Sequence, residues 1–159
     1  MCLPDYELDF HCLAYMYEAC LMLRRAPMAR VYLAVPLAYN RDQLLASSIA
    51  EAIEKKGHTI TSRWVLDRDP SWGLSAEQVA KRDFDSLEAS DVLVAEISTP
   101  SHGVGMEIEF AIMKGKKVIC LKRPDSRLSG LIAGTKSIHV LNYLDREDAL
   151  RLLELHLES

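Results

Sequence analysis

The stretch Val92-Leu93-Val94-Ala95-Glu96-Ile97-Ser98-Thr99-Pro100-Ser101-His102-Gly103-Val104-Gly105-Met106-Glu107 decides the fold. It starts as a nearly unbroken apolar run of strand type and passes into a loop of small, turn-forming residues. A helical pattern follows from about Met106 to Lys114 and is closed by Gly115. A strand apolar on both faces, followed by a loop and a helix, is the repeating half-unit of a parallel sheet covered on both sides. The same unit recurs in both directions. Residues 31–35 form a buried-strand run stopped at Pro36. Asn40 is the expected cap of a helix whose stripe of Leu44, Leu45, Ile49 and Ile53 ends at Gly57. Thr59-Ile60-Thr61 opens a β-branched strand that is expected to run towards Trp64. Ser75 with Gln78 is a capping box, opening a helix to about Glu88. Residues 117–121 and 138–141 read as two further strands, and residues 146–157 as a closing helix. The pattern predicts an α/β fold: a Rossmann-like (flavodoxin-like) five-stranded parallel sheet with helices on both faces.

The chain has 159 residues, with 19 Lys and Arg against 23 Asp and Glu for a net charge of −4. That length fits one domain, and 49% hydrophobic with 26% charged residues argues against disorder. A pI of about 5.7 lacks the basic footprint of a protein that binds nucleic-acid polymers. No run reaches the roughly 18 apolar residues of a membrane span. The apolar stretch near residues 13–23 has neither the basic lead nor the cleavage site of a secretory signal. Cys2, Cys12, Cys20 and Cys120 make no CxxC pair and no metal-ligand spacing, so reduced thiols, a cytoplasmic setting and no metal site are expected. Residues 1–27 stand apart, with a helix-compatible Leu-, Met-, Tyr- and Cys-rich segment over 10–25. The expected division is an N-terminal helical extension, 1–27, and an α/β domain, 28–159. The extension reads equally as an added helix that packs or associates and as an upstream addition to a domain starting near Met28.

Ligands of an open parallel sheet bind beyond the carboxyl ends of its strands, near the point where strand order reverses. Three loops qualify: 36–40, 64–74 and 98–106. In the third, Gly103 and Gly105 would let the backbone approach a ligand, ahead of a helix N-terminus that offers free N–H groups. The third glycine of a dinucleotide fingerprint is absent, as is the Gly-Lys-Ser/Thr of a phosphate loop, which argues against a nicotinamide or flavin cofactor. Glu107 falls in what reads as the first turn of the following helix, where the dipole would keep it ionised; a purely stabilising role fits that position too. Asp83 reads first as part of a solvated helix face, and Tyr32 as a core residue of its strand.

Together these residues resemble a known family. The segment Ala95-Glu96…Pro100-Ser101…Gly103-Val104-Gly105-Met106-Glu107, with Asp83 upstream and Gly115-Lys116-Lys117-Val118-Ile119-Cys120-Leu121-Lys122-Arg123-Pro124 downstream, resembles the nucleoside 2-deoxyribosyltransferase superfamily. Within it the similarity is greatest to the 2′-deoxynucleoside 5′-phosphate N-hydrolases, from about Arg30 onward. The resemblance implies that Glu107 is the nucleophile at C1′ of the sugar, Asp83 assists departure of the base, and Tyr32 holds Glu107 by hydrogen bonding. Ser101 stands where transferases carry an Asp against the free 5′-hydroxyl; a hydroxyl there suits a 5′-phosphate that a carboxylate would repel. Ser129 is implied to reach the phosphate from a neighbouring subunit, in a homodimer with composite sites.

The first loop departs from the family. Val35-Pro36-Leu37-Ala38 replaces a Gly-Ser-Ile-Arg pattern, so two phosphate contacts are missing and Pro36 and Leu37 line that side instead. Arg41, Arg63 or Lys122 are the cations that could substitute. Trp64 is placed either to stack on a nucleobase or to pack at the rim. The expected reaction is hydrolysis of the N-glycosidic bond of (2′-deoxy)nucleoside 5′-monophosphates to free base and (deoxy)ribose 5-phosphate, without a cofactor. The alternatives are base exchange by a nucleoside 2-deoxyribosyltransferase and a non-catalytic nucleotide-binding module.

Overall fold

A computed structural model describes residues 28–37 and 41–157; the expected helical extension over 1–27, Ala38 and the expected cap Asn40 lie outside the described residues. The elements in chain order are β1 (Arg30–Ala34), α1 (Gln43–Lys55), β2 (Thr59–Ile60), a 3₁₀ turn (Arg63–Leu66), α2 (Ala76–Glu88), β3 (Val92–Glu96), α3 (His102–Met113), β4 (Lys117–Lys122), α4 (Gly130–Gly134), β5 (Ile138–Asn142) and α5 (Arg146–Leu157). All strand pairs are parallel and their order is β2-β1-β3-β4-β5. The connection from β1 runs outward to β2 and the next returns past β1 to β3. The carboxyl ends of β1 and β3 therefore form the switch point where a ligand crevice opens.

The strands read as continuous apolar runs because both of their faces are covered. Val31, Leu33, Val94, Ile119 and Leu121 point to one side, against Ile49 and Ile53 of α1 and Leu153 of α5. Tyr32, Leu93, Ala95, Val118 and Cys120 point to the other, against Leu87 of α2 and Val104, Ile108 and Ala111 of α3. This period-2 division puts Tyr32, the one hydroxyl-bearing residue of β1, on the α2–α3 side. Burying a core leucine or isoleucine on either side contributes about 1.5–3 kcal/mol.

Three local expectations are corrected. The α1 cap is Asp42, whose Oδ1 accepts from the Leu45 N–H at 2.9 Å. The second strand stops after Ile60 and does not run to Trp64. Ser62, fully buried, accepts from the Leu33 N–H and donates to the Leu33 carbonyl, both at 2.8 Å, so its side chain takes over the β1 ladder and frees the backbone to turn. The third helix starts at His102, four residues before Met106, with Ser101 as its cap: Ser101 Oγ accepts from the Val104 N–H at 3.4 Å. Gly103 and Gly105 thus sit inside the helix rather than in a loop. Their poor helix propensity, about 1 kcal/mol each, is outweighed by the cap and by Val104 and Ile108 packing on the sheet. Gly57 and Gly115, by contrast, are at φ +87° and +65° where α1 and α3 end, a conformation that favours glycine.

Candidate active site

Tyr32 and Glu107 come together from β1 and α3. The Tyr32 hydroxyl donates to Glu107 Oε1 at 2.8 Å, and Tyr32 is 1% exposed. Glu107 lies in the second turn of α3 because the helix begins early, so the expected stabilisation of its charge by the helix N-terminus does not apply. Burial pushes its carboxyl up to about 7, with the negative charge of Asp83 adding to the effect and the Tyr32 hydrogen bond opposing it. The environment therefore raises the Glu107 carboxyl instead of holding it down, as a first-turn position would. The Tyr32 phenol is raised, first by burial and then by the charges of Glu107 and Asp83, and serves as a fixed donor.

Asp83 reaches the site from the second half of α2, opened by its Ser75–Gln78 capping box. Its Oδ1 accepts from Arg82 Nε at 2.8 Å and lies 2.8 Å from Arg82 Nη2. The Arg82 guanidinium lies over the Trp64 ring, 4.3 Å from its centroid, and donates through Nη1 to the Pro70 carbonyl at 2.5 Å. Trp64 in turn meets Tyr32 edge-on, with ring centroids 6.2 Å apart at 70°. Glu107, Tyr32, Trp64, Arg82 and Asp83 form a chain of contacts drawn from α3, β1, the 3₁₀ turn and α2. Arg82 is the member that sequence reasoning missed. Neighbours i and i+1 on a helix do not ordinarily face each other, so the Arg-Asp step carried no signal.

The remaining candidates divide between two places. Pro36, buried, and Leu37, 43% exposed, follow β1 at the crevice. Ser101 and Gly105 line a cavity of about 1010 Å³ on the other flank of α3, bounded also by Ile108, Phe110, Ser129 and Leu131; neither Glu107 nor Tyr32 borders it. Gly103 lies beside Ser101, and a Cβ at Gly105 would meet nothing within 4 Å. Ser129 caps the short helix α4 and accepts from the Leu131 N–H at 3.3 Å. The cations weighed for the first loop are all engaged. Arg63 pairs with Glu54, the buried Lys122 donates to the carbonyls of Arg123 and Pro124, and Arg41 donates to the Asp67 carbonyl at 2.7 Å. Arg41 adjoins the first loop. Among the described residues no cluster of three or more His, Cys, Asp or Glu could hold a metal ion, and no helix is long and apolar enough to cross a membrane.

The chain is 35% identical over 133 residues to a putative 2′-deoxynucleoside 5′-phosphate N-hydrolase 1 of Thermofilum pendens, covering 79% of this chain and 92% of that protein. A 5-hydroxymethyl-dUMP N-hydrolase of Danio rerio is 30% identical over 127 residues, covering 76% and 89%. Among solved structures, a CMP N-glycosidase of Clostridium botulinum, BcmB, superposes with a TM-score of 0.64 at 26% identity, covering 80% of this chain and 98% of that one. BlsM, at a TM-score of 0.70 and 22% identity over 84% and 91%, shares the fold. The family model for nucleoside 2-deoxyribosyltransferase matches residues 31–144, from β1 to the turn after β5, and on that match the chain belongs to the nucleoside 2-deoxyribosyltransferase family.

Proposed function

We propose that this protein is an N-glycosidase that hydrolyses (2′-deoxy)nucleoside 5′-monophosphates to free base and sugar 5-phosphate, with Glu107 as nucleophile. The observation that carries the reading is the Tyr32–Glu107 hydrogen bond within range of the Asp83 charge. It is supported by relatives named for hydrolysis of 2′-deoxynucleoside 5′-phosphates and a structural relative named for CMP. Cleavage develops positive charge at C1′ and negative charge on the leaving base. The Glu107 carboxylate attacks C1′ as the C1′–N bond breaks, and Asp83 assists the base in leaving. Asp83 passes a proton to the leaving base; water then displaces Glu107, giving its hydroxyl to C1′ and its other proton back to Asp83, which releases the sugar 5-phosphate and restores the carboxylate. Tyr32 keeps one carboxylate oxygen fixed, which leaves the other aligned for attack.

The 5′-phosphate is met at the α3 N-terminus by the Ser101 hydroxyl and by backbone left open beside Gly103 and Gly105. Pro36, Leu37 and Trp64 shape the sugar and base side. The cavity along α3 and α4 is apolar and leaves Met106, Met113 and Leu131 61%, 75% and 78% exposed, a patch suited to a second copy of the chain. In that homodimer, which sits in the cytoplasm, Ser129 completes the partner's phosphate site; sedimentation velocity should show a dimer at micromolar concentration. The deciding experiment incubates the protein with deoxynucleosides and with their 5′-monophosphates and separates the products by chromatography. Base release from the monophosphates is expected. Exchange onto an added second base would make it a transferase, and tight binding without any base release would make it a binding module.

A further inference from the structure

The proposed reaction uses Asp83 but does not explain what holds it. We propose that Arg82 is the positioning residue of the site: braced between the Trp64 ring and the Pro70 carbonyl, its guanidinium grips Asp83 Oδ1 and leaves Oδ2 as the oxygen offered to the departing base. This inference rests on the N-glycosidase reading. Both Arg82 contacts to Asp83, from Nε and Nη2, fall on Oδ1 at 2.8 Å. The same group spends its other edge on the Pro70 carbonyl and its face on Trp64, so its plane is set from three sides. The side chains of Arg82 and Asp83 are 22% and 20% exposed, so the pair is shielded more than a surface ion pair would be. Lysine cannot reproduce this arrangement, having neither a plane to stack nor a second edge to donate. The brace also links chemistry to the loop after the 3₁₀ turn, because the carbonyl of Pro70 is held by the same cation that holds the carboxylate.

Among the described residues, the groups whose charge or hydrogen bond reaches Glu107 are Tyr32 from β1 and Asp83 from α2; Arg82, paired with Asp83, acts against that charge at Tyr32. Removing the Arg82 cation leaves the Asp83 charge without its partner. The test is therefore a double-mutant cycle with a titration beside it. Arg82→Gln in the wild-type background should lower kcat about 10–100-fold while KM changes less than about threefold, with Arg82→Lys recovering only part of the loss. In an Asp83→Asn background, Arg82→Gln should change kcat by less than about twofold, because its target has lost its charge and role. Carboxyl ¹³C shifts should show Glu107 titrating higher in Arg82→Gln than in wild type, because the Asp83 charge is no longer paired. Equal losses of kcat in both backgrounds, or an unmoved Glu107 titration in folded Arg82→Gln, would overturn the assignment. The titration needs no turnover, so a wild-type protein that released no base would remove the proposed reaction and still leave Arg82 to be judged by its effect on Glu107.

Discussion

Replacing Glu107 by Gln should abolish base release and, at the same time, make the protein harder to melt above neutral pH. The carboxyl sits among Tyr32, Asp83 and the packed face of α3, and burial with the Asp83 charge raises it from an ordinary 4.5 to about 7. In the unfolded chain the proton leaves near the ordinary value, so between that point and 7 the folded state holds a proton that the unfolded state has lost. Stability from this group falls across that window, and above 7 the folded protein carries the whole penalty. At about 1.4 kcal/mol per pH unit the penalty would be about 3 kcal/mol for a fully buried group, and partial exposure of Glu107 reduces it to roughly 1–2 kcal/mol. Gln is uncharged at every pH and its Oε1 still accepts the Tyr32 hydrogen bond. For a chain of this size the melting temperature at pH 8 should therefore rise by roughly 3–6 °C, with little change near pH 4.5. The assay is paired thermal melts of wild type and Glu107→Gln across that pH range, with chromatography for released base. A variant that melts at or below the wild-type temperature at pH 8, or a difference that does not grow with pH, would refute the reasoning.

Other consequences are open to direct measurement. Attack requires the carboxylate, so kcat/KM should fall as pH drops through about 7; Tyr32→Phe removes the hydrogen bond that opposes the raised value and should move this limb upward. Asp83→Asn should slow turnover about 100-fold or more, with the largest losses for bases that leave least readily, measured over a series of bases. Ser101→Asp preserves the α3 cap, since Asp caps as well as Ser, but faces a 5′-phosphate with like charge; KM for monophosphates should rise at least about tenfold while that for deoxynucleosides does not.

The distribution of legible and hidden features follows from the range of the interactions involved. Helix-capping at Ser75 and the Gly57 and Gly115 stops are local chemistry, acting within a few residues, and each was readable in the chain. Ser62 and the glycine-bearing start of α3 show the opposite. Ser62 ends β2 through a bond to Leu33, 29 residues away, and α3 absorbs two glycines because Val104 and Ile108 pack on the sheet. The short helix α4 was too brief to leave a periodicity. Glu107, Asp83 and Tyr32 were named from a resemblance, but their environment was not: the second-turn location, the titration near neutrality and the Arg82–Trp64 brace follow from contacts across β1, α2 and α3.

By itself the sequence determined a parallel α/β sheet, because strands that must be apolar on both faces and helices that must be apolar on one leave periodicities in the chain. Only the tertiary structure decided that Glu107 is a half-buried group sharing its site with Asp83 and that Arg82 faces Asp83 from the adjacent position. Those properties depend on how far charges lie from one another and from water. That distance is set by the packing of α2 and α3 over β1, between residues as far apart as Tyr32 and Glu107, and no local pattern records it.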